Sequence, residues 1–337
     1  MYLEHFGFEV EPFEIAPNSE FLYLSRGHKK AFTYLNYALW NKDTFTLLTG
    51  DIGSGKTILL QHLLKTMPAS AEVVTLYQTQ LSPYELLYVI AEQLGLVSGE
   101  QVPKPKLFQL INDYILDSQK NVVLVIDEAQ RFSRETLEEL RLLAGIDLLK
   151  SKTNINIILC GQPELKQIVE SGTLEQLNQR IKLRFHLTPL DYNETKEYVS
   201  FRVKKAGQKL EIFTQDAVKK IYELTNGLPR LINVLADTAL TCGYADGFYA
   251  ISSKQVSEAE TELGWDTQPP RLSREEARKG NNNIVELQRS PQESAVRNDQ
   301  LESTLGAIEK HLADIANSLR EMSSREDVGS PGKEVNR

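Results

Sequence analysis

Gly50-Asp51-Ile52-Gly53-Ser54-Gly55-Lys56-Thr57 sets two glycines apart by four residues and follows them with lysine and threonine. Those residue types suit a polyphosphate. Glycines let backbone N–H groups turn toward anionic oxygens, and a helix opening at Lys56 adds partial positive charge. Lys56 reaches the β- and γ-phosphates of a nucleoside triphosphate, and the Thr57 hydroxyl is a hard-oxygen ligand for Mg2+. A second pair, Asp127-Glu128, follows the apolar run Asn121 to Ile126. Asp127 is placed to hold Mg2+ through water, and Glu128 to polarise the water that attacks a γ-phosphate. Each motif has a plainer reading, a glycine-rich turn or two solvated acids opening a helix at Ser133. Together they favour the nucleotide reading.

The elements around these motifs are the ones the chemistry needs. Phe45 to Thr49 is a short buried-strand pattern and Ile58 to Leu64 is helical, so the loop lies between strand and helix. Candidate strands fall at 45–49, 72–77, 121–126, 155–160 and 182–187, alternating with helical stretches at 56–67, 83–94, 105–118, 133–145 and 163–171. This alternation predicts a five-stranded parallel sheet covered by helices on both faces. From Asp191 the strand signal stops, and patterns at 192–206, 214–225, 229–242 and 252–263 predict a small all-helical lid domain.

Three more residues fall where a phosphate-hydrolysing site would use them. Gln162 follows the strand ending at Cys160, so it emerges at the sheet's C-terminal edge beside the carboxylate pair, able to sense the γ-phosphate or orient water. Arg180 precedes the last strand, on the edge that would face a neighbouring subunit in a ring, and is a candidate arginine finger. Arg230 opens a lid helix behind Pro229 and is placed to reach back to the γ-phosphate. The plain alternative for either arginine is a solvated or salt-bridged surface residue.

Composition sets the frame. The chain of 337 residues is 41% hydrophobic and 25% charged, enough to bury a sizeable core. No apolar run has the length of a membrane span, and Met1-Tyr2-Leu3-Glu4-His5 lacks the layout of a signal peptide, so a cytoplasmic location is expected. Cys160 and Cys242 are distant and flanked by apolar residues, which reads as core packing rather than a disulfide or zinc site. The net charge of -8 argues against a surface devoted to nucleic acid. All Phe, Tyr and Trp lie at or before Trp265, and the polar stretch that follows reads as a linker. Leu301, Leu305, Ile308, Leu312, Ile315, Leu319 and Met322 then form a heptad stripe, which would pair with another copy or a partner helix, or dock on the protein's own body.

At this point the chain resembles the AAA+ ATPases of the general secretion pathway protein A (ExeA/GspA) group, which includes the MSHA pilus biogenesis ATPase and the ATPase of exosortase-linked exopolysaccharide loci. The resemblance covers about residues 1 to 264 and rests on blocks in order: Tyr2 to Phe8 with Pro12-Phe13, Phe21 to Ser25 with His28, and Thr49 to Thr57. It continues through Leu81 to Leu87, Ile126 to Gln130, Gly161 to Leu165, Gln179 to Ile181, Ala206-Gly207 and Gly227 to Asn233. It implies an Asp127-Glu128 Walker B pair, a sensor-one position at Gln162, a trans-acting finger at Arg180 with Arg184 as its rival, and a sensor-two arginine at Arg230. It also implies that the N-terminal segment through His28 wraps the adenine side; a satisfied core histidine is the alternative for His28. The classical secretion member carries a transmembrane helix and a periplasmic peptidoglycan-binding domain after its ATPase part. Residues 265–337 hold neither pattern, so coupling to a membrane is expected to run through a partner.

The expected organisation is an N-terminal segment at 1–44 packing on the nucleotide site, a P-loop (AAA+) α/β domain at 45–190, and a helical lid at 191–264. A linker at 265–300, a short coiled-coil helix at 301–322 and a tail at 323–337 would follow. The leading functional reading is a homo-oligomeric, ring-type ATPase, a hexamer being one form. It would use ATP and Mg2+ to power or regulate assembly of an envelope system for secretion, pili or exopolysaccharide, and would meet a membrane-protein partner through 301–322. Two other classes stay open. One is a nucleic-acid-associated AAA+ regulator of the transposition target-selection type, with Arg202, Lys204, Lys205 and Lys209 beside Arg26, Lys29 and Lys30 as local basic surface. The other is a nucleotide-gated scaffold with little turnover.

Overall fold

Along Asn121–Ile126, Val122, Leu124 and Ile126 point into one core while Val123 and Val125 point into another, and all five are buried. A strand apolar on both faces belongs at the centre of a covered parallel sheet. The computed structural model describes residues 2–16, 18–40, 45–68, 71–77, 80–99, 101–117, 121–145 and 155–267. The expected heptad helix at 301–322, the tail, and the linker beyond residue 267 lie outside them.

The sheet comprises β1 (Phe45–Gly50), β2 (Ala71–Leu76), β3 (Asn121–Ile126), β4 (Ile155–Gly161) and β5 (Ile181–Leu187), in the order β2-β3-β4-β1-β5. Every pairing is parallel. One face packs on α4 (Pro83–Gln93), α5 (Lys104–Asp117) and α6 (Arg134–Gly145), through Leu86, Leu87, Leu107, Ile111 and Leu140. The other packs on α2 (Arg26–Trp40) and α3 (Lys56–Lys65), through Ala31, Leu35, Leu59 and Leu63. The sheet therefore presents the C-terminal ends of β1, β3 and β4 side by side on one edge. The loops leaving that edge hold Gly50 to Thr57, Asp127-Glu128 and Gln162.

The helical domain is formed by α9 (Tyr192–Lys205), α10 (Gln215–Thr225), α11 (Pro229–Ala245) and α12 (Ser253–Glu262). Asp191 and Glu194 close a capping box at the start of α9, as Ser252 and Gln255 do for α12. Pro229 opens α11 at a position where its missing N–H costs nothing.

The described residues from Tyr2 to Phe21 pack on this helical core. α1 (Tyr2–Phe6) and the strap after it bury Phe6, Phe8, Phe13 and Phe21 against Val199, Ile232 and Leu235. Each fully buried phenylalanine contributes about 1.5–3 kcal/mol of hydrophobic stabilisation. The Glu9 N–H donates to the Ala206 carbonyl at 2.8 Å, and the Tyr2 hydroxyl donates to Asp237 at 2.7 Å. Only at α2 does the chain reach the sheet. It thus starts in the lid, builds the sheet domain, and returns to finish the lid. The remaining helices, α7 (Pro163–Glu170) and α8 (Glu175–Arg180), lie between β4 and β5.

Candidate functional site

The loop after β1 folds back on itself around Lys56. Its ammonium is buried and donates to the carbonyls of Gly50 at 2.8 Å and Asp51 at 2.9 Å. A buried ammonium needs such partners, and carbonyl dipoles leave its full charge for an anion. Gly55 has φ 99°, a left-handed conformation that favours glycine, and α3 begins at the next residue. A side chain at Gly55 would also meet the His28 ring, whose Nε2 would lie 2.6 Å from its Cβ. His28 is buried beneath the loop, its Nδ1 2.8 Å from the Ser25 hydroxyl, and its ring hydrogen-bonds the backbone of Ser54. With Nδ1 engaged by Ser25, Nε2 is the nitrogen that serves Ser54. Burial pulls the His28 pKa below its usual value, so the ring is neutral.

At the end of β3, Asp127 accepts from the Thr57 hydroxyl at 2.7 Å through Oδ2, and from the Glu128 N–H at 2.9 Å through Oδ1. Glu128 itself stands at φ 56°, ψ 33°. A left-handed non-glycine residue costs about 1–3 kcal/mol and persists only where its surroundings enforce it. Its carboxylate is enforced twice over: Oε2 accepts from Gln130 Nε2 at 2.9 Å and from Gln162 Nε2 at 3.2 Å. Gln162 therefore meets the carboxylate pair, as its place after β4 predicts. Cys160, one residue before the end of β4, is fully buried, and that burial raises its thiol pKa well above the ordinary range.

A cavity of about 460 Å³ opens over the loop. Its floor includes Gly53, Gly55, Lys56 and Thr57, and Glu128 stands at its side. The lid supplies Tyr198, Arg202, Arg230 and Asn233, and the N-terminal strap supplies Glu14, Ile15, Ala16 and Phe21. Arg230 is brought to the loop through its backbone as well, its N–H donating to the Gly53 carbonyl at 3.2 Å. Sequence reasoning did not single out Tyr198, and it left Asn233 and Gln130 without roles although both stand inside quoted motifs. Their contacts join segments far apart in the chain, so only the fold reveals them.

Two predicted arginines stay outside the cavity. Arg180 Nη1 donates to the Arg141 carbonyl at 2.8 Å, and Arg184 Nη2 donates to the Asn178 carbonyl at 2.7 Å. The basic surface also needs correction, because Arg202 is buried. Its guanidinium lies 4.8 Å from the Phe21 ring and donates to the carbonyls of Pro12 and Glu14. Aromatic faces and backbone dipoles replace water around it. Lys204, Lys205 and Lys209 are exposed, as are Arg26, Lys29 and Lys30.

The oxygen set fits Mg2+. The Thr57 hydroxyl and Asp127 carboxylate converge at hydrogen-bond distance, both hard donors, and the neighbouring Ser54 Oγ is buried without a hydrogen-bond partner among the described residues. The loop's curled backbone, Lys56 and the start of α3 form a cradle for anionic oxygens next to that pair.

Comparison with known proteins agrees with this fold. A sequence-family model described as an AAA domain matches residues 41–169. General secretion pathway protein A of Aeromonas hydrophila is 37% identical over 266 residues, covering 78% of this chain and 48% of that protein. The chain thus spans about half the length of that relative. Among solved structures, Cdc6p from Pyrobaculum aerophilum has a TM-score of 0.56 at 17% identity, with 72% of this chain and 70% of that one covered. The ORC2 protein of Aeropyrum pernix, solved as ADPNP–ADP complexes, has a TM-score of 0.56 at 16% identity, with 79% and 74% covered. At these identities the two structures speak for the fold.

Proposed function

We propose, from the premise that this chain is an AAA+ protein of the general secretion pathway protein A family, that it binds and hydrolyses ATP with Mg2+ in the cavity between sheet and lid. The observation that carries the reading is that Lys56, Thr57, Glu128 and Arg230 line one cavity, with Asp127 bonded to Thr57 and Gln162 to Glu128 behind them. Lys56 and the loop N–H groups hold the β- and γ-phosphates, while Thr57 and Asp127 are the groups that would hold Mg2+. Bound there, the cation would neutralise charge on the phosphate oxygens. Glu128 accepts a proton from water as its oxygen attacks the γ-phosphorus, and the bond to the β-phosphate oxygen breaks, leaving ADP and phosphate. Gln162 holds Glu128 in place beside the attacking water. Arg230 reports the γ-phosphate to the lid, and an Arg180 from a neighbouring subunit completes the charge around it.

The work driven by this cycle is assembly or regulation of an envelope machine. The likeness to general secretion pathway protein A supports secretion first, with pilus and exopolysaccharide systems as narrower candidates. Among the described residues no helix is long and apolar enough to cross a membrane. The chemistry is tested by Glu128→Gln. That variant should bind ATP as the parent does yet lose turnover by about 10²–10⁴-fold, the usual scale of a general base. Parent-like phosphate release from it would remove Glu128 from that role.

A further inference from the structure

We infer that Gln130 is a positioning residue for Glu128, a carboxamide bridge that fixes the acid to the end of β4; this inference rests on the ATPase reading above. Gln130 Nε2 donates to Glu128 Oε2 at 2.9 Å, and Gln130 Oε1 accepts from the Gln162 N–H at 3.1 Å. Gln162 Nε2 donates to the same Glu128 oxygen at 3.2 Å. The three side chains close a ring of hydrogen bonds in which one amide uses both ends and joins two neighbouring strands. The fit is tight on the β4 side as well. A Cβ added at Gly161 would lie 2.4 Å from Gln130 Oε1, so the absence of a side chain there admits the bridge.

The ring acts on Glu128 in two ways. Its backbone is left-handed, so the side chain leaves the strand end along a direction that its own conformational preferences would not select. The two amides hold it there. Both of them occupy Oε2, and Arg131 Nε stands 3.8 Å from that same oxygen, which leaves Oε1 as the oxygen to take the proton from water. The backbone of Gln130 is itself anchored, because Ala129 before it is fully buried and the segment Ala129–Arg131 forms a single 3-10 turn. Asparagine is one methylene too short to span from that turn to both partners. Glutamate would keep the acceptor for Gln162 but would set a second negative charge against Glu128.

Gln130→Leu and Gln130→Glu, in the full chain, test this bridge by steady-state ATP hydrolysis alongside equilibrium ATP binding. Expected is a KM and ATP affinity within about twofold of the parent and a kcat lower by ~10–100-fold, the range that follows from misplacing a reacting group by an ångström. In a Glu128→Gln background, adding Gln130→Leu should lower the residual rate by no more than about twofold, because there is no longer a base to aim. An unchanged kcat in a folded variant, or an equal further loss in the Glu128→Gln background, overturns the bridge while leaving the ATPase reading intact. A parent protein that binds ATP but never turns it over overturns both. If leucine prevents folding, the glutamate variant, which keeps the bond from Gln162, decides the matter.

Discussion

A neutral histidine directly under the phosphate-binding loop ties the stability of the fold to acidity. Among the described residues no carboxylate is in hydrogen-bond contact with His28; its ring meets Ser25 and the Ser54 backbone, with Glu194 acting only at a distance. Burial is the largest influence and lowers its pKa from 6.5. Unfolding restores that ordinary value, so as pH falls below 6.5 the unfolded chain takes up the proton first. The stability that the neutral ring contributes is therefore complete above 6.5 and is lost as pH falls through the folded pKa. His186, which touches Thr49 on the neighbouring strand, is lowered by burial as well and adds a slope of the same sign. His28→Gln keeps an amide donor for Ser54 but cannot titrate. Melting temperatures measured in steps from pH 7.5 down to about 5.5 should fall less steeply in that variant than in the parent, the residual slope belonging to His186. Parallel curves would mean that the titration lies elsewhere.

At the scale of elements, the lid is built from both ends of the described chain, and the strap is what makes it a wall of the cavity. Arg202 holds that strap by donating to the carbonyls of Pro12 and Glu14, and Asn233 adds a bond to Glu14 at 3.4 Å while accepting from Tyr198 at 2.6 Å. Arg202→Met would put an apolar chain of similar length in place of the guanidinium that lies over Phe21 and remove the donors. The freed carbonyls make this variant less stable by about 1–3 kcal/mol in urea unfolding. ATP affinity should fall by roughly tenfold, about 1.4 kcal/mol, with kcat at saturation little changed. Unaltered affinity would show that the aromatic core alone sets the strap. These elements also show where sequence reading reaches and where it stops. Strand and helix periodicity placed all five strands and five of the helices between them to within a residue or two, because burial on both faces of a parallel sheet is a local pattern, but it left the short α8 unplaced. The strap's membership of the lid core was not legible, since Phe13 meets Phe213 across two hundred positions of chain. For the same reason Arg202 read as part of a basic run, its aromatic cage being supplied by Phe13, Phe21 and Tyr198. The phosphate loop and Asp127-Glu128 were legible because spacing along the chain is their geometry; the Gln130 bridge was not, because its second partner, Gln162, follows another strand.

For the whole molecule, the arginines argue for a site shared between copies. Among the described residues the only arginines lining the cavity are Arg202 and Arg230, and Arg202 is occupied with the strap. Arg180 and Arg184 are held by carbonyls of their own chain, and Arg131, 3.8 Å from Glu128, is paired with that carboxylate. An additional positive charge on the γ-phosphate during transfer would then come from a second subunit, with Arg180 the first candidate and Arg184 the second. The test needs two inactive proteins. Arg180→Ala keeps its own loop and base but offers no finger, whereas Lys56→Ala offers a finger but cannot hold the phosphates. In a heterologous ring mixed at equal amounts, about a quarter of the interfaces pair an intact loop with an intact arginine. The mixture should therefore recover up to about a quarter of parental turnover under conditions where each variant alone is near background. Recovery with Arg184→Ala in place of Arg180→Ala, and none with Arg180→Ala, would transfer the role to Arg184. Co-assembly by size-exclusion chromatography without recovery from either mixture would place the whole hydrolytic apparatus inside one chain, with Arg230 alone as its cationic partner from the lid.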